Sequence, residues 1–122
     1  MGRIVTFPIA HGMARGYLAR SVAQTGDGVL VVDSHWREDT EHHPRCDALA
    51  ARGMTALVVD LHGEEDAPHI LHSPLATLVE AIEYLRFHPS VQGRPVFVDG
   101  DPALIDALTA AGAGLPALGL DP

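Results

Sequence analysis

Gly28-Val29-Leu30-Val31-Val32 and Thr55-Ala56-Leu57-Val58-Val59 decide the fold. Neither run alternates polar with apolar residues. A strand with solvent on one face alternates; a strand covered on both faces reads as continuous apolar sequence. Pro95-Val96-Phe97-Val98 repeats the pattern. Segments of helical character lie between these runs. Buried strands alternating with helices form a parallel sheet with helices packed on its faces.

Working outward from these runs, the helices carry their own start and stop signals. Thr40 is a cap for a helix running to Arg52, with Gly53 just past its end. Ser73-Pro74 opens a second helix, with proline at the first helical position. Its face is Leu75, Leu78, Val79, Ile82 and Leu85, and His88-Pro89 stops it. Asp101-Pro102 repeats the start signal, Leu104, Ile105 and Leu108 follow, and Gly112 ends the helix. Upstream, Arg3 to Phe7 and Gly16 to Ser21 read as two strands joined by a turn over His11 to Arg15. Downstream, Leu115 to Leu120 reads as a last strand, weakened by Pro116 and Gly119. The expected order is β-β-β-α-β-α-β-α-β. That is an α/β three-layer sandwich in a single domain, residues 1–122. It has about six strands, mostly parallel, with an antiparallel N-terminal hairpin, and three helices.

Composition excludes several function classes. The eight basic residues are all arginine, against 16 Asp and Glu, and the formal net charge is −8. Nucleic acid and anionic membrane both need a basic face, so neither is expected as the main partner. A single cysteine forms no internal disulfide. No signal-peptide core opens the sequence, and no apolar run approaches the ~20 residues of a membrane span. A cytoplasmic protein is the expectation. Arginine without lysine, amid abundant Ala, Gly and Pro, suggests a GC-rich bacterial genome.

The ordered text resembles a known family. Val5-Thr6-Phe7-Pro8 is followed by Ala14-Arg15-Gly16-Tyr17-Leu18-Ala19 and Gly28-Val29-Leu30-Val31-Val32. Leu49-Ala50-Ala51-Arg52-Gly53, Ala56-Leu57-Val58-Val59-Asp60-Leu61, Ile82-Glu83-Tyr84-Leu85, His88-Pro89 and Val91-Gln92-Gly93-Arg94 continue it. The set is similar to the N-terminal half of dienelactone hydrolase-like proteins, a branch of the α/β-hydrolase fold. The resemblance implies a truncated α/β-hydrolase-like sheet. It also implies a nucleophile on a Gly-x-Cys/Ser-x-Gly turn between a strand and a helix. Here that turn reads Gly100-Asp101-Pro102-Ala103-Leu104. Pro102 stands at the nucleophile position and Leu104 at the second glycine. The family's glutamate and glycine after the third strand fall at Ser34 and Arg37. Its later acid and histidine lie beyond the point where this sequence stops. The expectation is that the chain does not hydrolyse esters or lactones by the family's mechanism. Cys46, on the first helix, is no substitute.

Chemistry is expected where parallel sheets bind ligands, outside the carboxyl ends of the strands. Those ends are Asp33-Ser34-His35-Trp36, Asp60-Leu61-His62-Gly63-Glu64 and Asp99-Gly100-Asp101. His35, His62, Asp99 and Asp101 are the candidates for acid–base work, since burial and neighbouring charge bring such groups toward neutral pKa values. Ser34, Trp36 and Gly100 are the candidates for ligand contact. Competing readings are plainer: Asp101 as a helix cap, Asp33 and Asp99 as acceptors for loop amides, Trp36 as a cover for the sheet edge. His42, His43 and Cys46 have helical metal-ligand spacing, as do His69 and His72, but no four-ligand signature is present. No metal and no cofactor is expected.

Leu115 to Leu120 carries no charge to blunt a sheet edge, which predicts a homodimer that hides it. Three functions remain in view. The first is a small-molecule-binding protein built on a hydrolase scaffold without its nucleophile. The second is an enzyme of another class, an isomerase, cyclase or lyase, using the His and Asp residues of the carboxyl edge. The third is an interaction partner docking through the exposed sheet edge.

Overall fold

The computed structural model describes residues 2–9, 12–37, 42–61 and 74–118. It contains a five-stranded sheet in the order β1-β2-β4-β3-β5, with three helices. The strands are β1 (Arg3–Ile9), β2 (Gly12–Ala19), β3 (Gly28–Val32), β4 (Thr55–Val59) and β5 (Val96–Gly100). The helices are α1 (Pro44–Ala51), α2 (Pro74–Arg86) and α3 (Pro102–Ala110). β3, β4 and β5 are parallel, while β1 and β2 add an antiparallel hairpin against β4. Every residue of β3 and β4 is buried, as their unbroken apolar sequence requires.

The connections fix the two faces. The chain goes from β3 to β4 on one side, then crosses back over β3 to β5 on the other. Crossovers of one hand that run in opposite directions place their helices on opposite faces. Accordingly, Leu30, Val32, Leu57, Val59 and Val98 pack with Leu78, Ile82 and Leu85 of α2 and Leu108 of α3. Val29, Val31, Ala56 and Val58 pack instead with Cys46, Leu49 and Ala50 of α1 and with Trp36. Each fully buried Leu or Val contributes roughly 1.5–3 kcal/mol. No helix among the described residues is long and apolar enough to cross a membrane.

Four expectations are corrected. β2 begins at Gly12, not Gly16, and Ile9 pairs with Gly12. The mixed polarity of residues 12–16 hides a strand that lies half in solvent. α1 begins at Pro44 with His43 as its cap. Proline lacks an N–H and disfavours helical backbone in the residue before it, so it belongs at the first helical position; Thr40 lies outside the described residues. Val79 is 37% exposed. The buried stripe of α2 runs through Leu78, Ala81, Ile82 and Leu85, and Val79 is turned about a quarter of a circle from it. Among the described residues the last strand is reduced to a single parallel bridge between Val98 and Ala117. Pro116 has no N–H to extend a ladder, although its carbonyl accepts from Val98 at 3.0 Å.

Candidate functional site

The neighbouring strands β3 and β5 send the chain to opposite faces of the sheet, β3 into α1 and β5 into α3. A crevice opens where such a parallel sheet reverses its strand order, outside the carboxyl ends. A cavity of about 400 Å³ lies there, between the ends of β3 and β5. Its walls are Val31 to His35 from β3 and the loop after it, Asp99 to Asp101 from β5, and His43 and Arg45 from the start of α1.

Each carboxylate in this cavity has a partner within the protein. Asp33 accepts the backbone N–H of His35 through Oδ1 at 2.9 Å. Its Oδ2 lies 3.0 Å from Nε2 of His43. Burial works against the charged form of Asp33. The bonds from His43 and His35 outweigh it and hold the carboxyl below the usual range. Asp101 caps α3 by accepting the N–H of Ala103 at 3.0 Å, and its other oxygen lies 3.4 Å from the Ser34 hydroxyl. Asp99 pairs with Nε of Arg45 at 2.8 Å, joining β5 to α1 across the rim.

His43 is fixed from both sides. Its Nδ1 faces the backbone N–H of Cys46 at 3.4 Å, making the ring the N-cap of α1. An Nδ1 that accepts leaves the proton of a neutral imidazole on Nε2, which then donates to Asp33. A second network anchors the same helix start. Trp36 donates its indole N–H to the His42 carbonyl at 3.0 Å. His42 pairs with Asp47 at 2.8 Å, and the Tyr17 hydroxyl donates to Asp47 at 2.6 Å. Burial, reinforced by Asp47, pushes Tyr17 up to about 12.

The turn from β5 into α3 occupies the place of the expected nucleophile turn. Its residue of left-handed conformation is Gly100 (φ 125°), where a Cβ would fall 2.2 Å from the Val32 carbonyl oxygen. Asp101 is the cap and Pro102 the first helical residue. Gly100 and Pro102 bear no nucleophilic atom, and the Asp101 carboxylate is committed to the cap. In hydrolases of this architecture, the N–H after the nucleophile and an N–H from the loop after the third strand bind the oxyanion. The N–H groups at Ala103 and His35 are here taken by Asp101 and Asp33.

Of the residues singled out in the sequence, Ser34, His35, Asp99, Gly100 and Asp101 line this one cavity. Trp36 does not; it is 5% exposed, within the core on the α1 side. His62 lies outside the described residues, as do His69 and His72. The sequence reading missed His43 and Arg45 as cavity residues. It weighed His43 only as a metal ligand with His42 and Cys46. The signal for its actual role was its place immediately before Pro44. Cys46 is fully buried, and burial followed by the charges of Asp47 and Asp33 drives its thiol far above the ordinary range. Among the described residues no three His, Cys, Asp or Glu side chains form a group that could hold a metal ion.

No protein-family model matches the sequence, and no curated protein does. Solved structures do match. A dienelactone hydrolase from Anabaena variabilis is similar at 20% identity and TM-score 0.58, with 82% of this chain covering 51% of that one. A putative dienelactone hydrolase from Klebsiella pneumoniae is similar at 17% identity and TM-score 0.65, covering 82% and 49%. The α/β hydrolase GrgF from Penicillium sp. is similar at 18% identity and TM-score 0.63, covering 82% and 37%. The chain thus has the α/β-hydrolase fold and spans about half or less of these structures.

Proposed function

We propose that this chain is a non-hydrolytic, small-molecule-binding protein whose site is the cavity at the carboxyl ends of β3 and β5. The observation that carries the reading is the turn itself: a cavity lies at the carboxyl ends of β3 and β5, while Gly100, Asp101 and Pro102 offer no free nucleophile. The two N–H groups suited to an oxyanion are closed by the chain's own carboxylates. What remains open to a ligand is the His35 ring, the acceptor side of the Ser34 hydroxyl and the outer nitrogens of Arg45, beside the apolar wall of Val31 and Val32.

Native mass spectrometry of the untagged protein tests this directly. A stoichiometric small molecule is the expected result, with no turnover of p-nitrophenyl acetate above background. Hydrolysis that saturates with substrate would end the proposal. The same spectrum reports whether the homodimer, which belongs to this proposal, forms.

A second reading has one observation in its favour. His35 lines the cavity beside Asp33, and its ring has no hydrogen-bond partner among the described residues. A free imidazole next to carboxylates is the equipment of acid–base chemistry of an isomerase or lyase type. His35→Ala separates the two readings. Binding of the co-purifying molecule should weaken in the first; any turnover of it should vanish in the second.

A further inference from the structure

The opposite end of the sheet gathers positive charge in a chain whose net charge is −8. Arg3 opens β1, Arg20 follows β2, Arg86 ends α2 and Arg94 precedes β5. Arg86 is bonded to Glu83 at 3.3 Å and Arg94 to Asp27 at 3.2 Å. Arg3 and Arg20 have no hydrogen-bond or ion-pair partner among the described residues, and both are exposed.

Strand register brings these two together. Arg3 is paired with Leu18, whose side chain packs on the α2 face. Arg20 follows one residue past the end of β2 and two positions on from Leu18, so the chain leaves the ladder at the corner where Arg3 opens β1. α2 lies over this corner. Tyr84 stacks on Phe7 with ring centroids 4.6 Å apart, and His88 sits 5.9 Å from Tyr84. Nδ1 of His88 accepts the Ser90 N–H at 3.1 Å, so the neutral ring keeps its proton on Nε2 as a donor. Burial, then the charges of Arg20 and Arg3, hold His88 below its ordinary value.

We infer that Arg3, Arg20 and His88 form an oxyanion-binding site at the amino end of the sheet, suited to a phosphate-type group. Two guanidinium forks match the tetrahedral oxygens of phosphate or pyrophosphate bidentately, and the imidazole N–H adds a third direction. Two cations held close together without a counter-charge repel one another, and an anion between them removes that repulsion. The site lies across the sheet from the carboxyl-end cavity, where carboxylates would repel the same ligand.

Inorganic pyrophosphate, titrated into the full chain at low ionic strength and followed by amide NMR and calorimetry, tests the inference. The Ser90 amide, which reports on His88, should shift saturably. Arg3→Gln and Arg20→Gln should each weaken binding at least about tenfold, the loss of a charge-assisted hydrogen bond. Arg52→Gln, another exposed arginine at this end but on the α1 side, should leave it unchanged. No saturation, or an equal loss in all three variants, would reduce the corner to a diffuse positive field and overturn the site. A parallel arm measures self-association without added anion. Association abolished by Arg20→Gln, with Ser90 unmoved by pyrophosphate, would give the corner to the acidic end of a second copy and overturn the small-oxyanion site.

Discussion

Among the described residues, the two ends of this sheet use their charged groups in opposite ways. At the carboxyl end Asp33, Asp99 and Asp101 are each answered from within: by His43 and a loop N–H, by Arg45, and by the first turn of α3. At the amino end Arg3 and Arg20 are answered by nothing among the described residues. A density of acids and bases is therefore a poor measure of a site. What matters is the bonding capacity left over after the backbone has been satisfied. By that measure the carboxyl end is largely structural, with the His35 ring its side chain left without a hydrogen-bond partner among the described residues, and the amino end is the one with unspent charge.

The most damaging way to break this contrast is at Gly100. Its φ of 125° is closed to a side chain, and a Cβ there would meet the Val32 carbonyl at 2.2 Å. Gly100→Ala should cost roughly 2–6 kcal/mol, the sum of backbone strain and overpacking. Urea denaturation should show the midpoint falling at unchanged slope. Arg20→Gln at the other end should stay within about 0.5 kcal/mol of the parent. A neutral Gly100→Ala would mean that the turn is not clamped against β3, and the account of the closed oxyanion donors would go with it.

Smaller effects are expected at the cap of α1. His43→Ala removes both the cap and the partner of Asp33 and should cost about 1–2 kcal/mol. His43→Asn should restore the cap and part of that loss. Asp33 adds a pH dependence of known sign. Its folded pKa lies below the unfolded value of about 3.9, so it stabilises the fold above that pH. The contribution disappears as pH falls through the folded pKa. Thermal unfolding of Asp33→Asn against the parent should show a deficit at pH 7 that closes on acidification. A gap that widens in acid would contradict the bonding assigned to Asp33.

The same contrast explains what was legible beforehand. The parallel core was readable because burial on both faces leaves an unbroken apolar run, as in β3 and β4. α3 was readable because Asp101-Pro102 states cap and first residue in one dipeptide. The cavity was readable as a location, since topology alone places it at the strand ends. The bonding inside it was not. That the imidazole of His43 would cap α1 and bind Asp33 depends on tertiary placement across ten residues of chain. That Trp36 would turn into the core rather than the cavity depends on the carbonyl of His42. The positive corner was invisible because Arg3, Arg20 and His88 come from three separate elements, brought together by register and by the packing of Tyr84 on Phe7.

The mildest substitution asks the most of the contrast. Arg45 and Asp99 are both partly exposed and joined by one bond across the rim. Exposed ion pairs contribute about 0–1 kcal/mol after screening and side-chain entropy are counted. Arg45→Gln should therefore leave stability nearly unchanged while freeing Asp99 to face the cavity. If the cavity binds small molecules, affinity for the co-purifying ligand should change even though the midpoint of unfolding does not. A midpoint shift larger than an exposed pair allows would make the Arg45–Asp99 bond a brace that holds α1 to β5. The carboxyl end would then be closed throughout, and the search for a ligand would move to the arginines at the other end of the sheet.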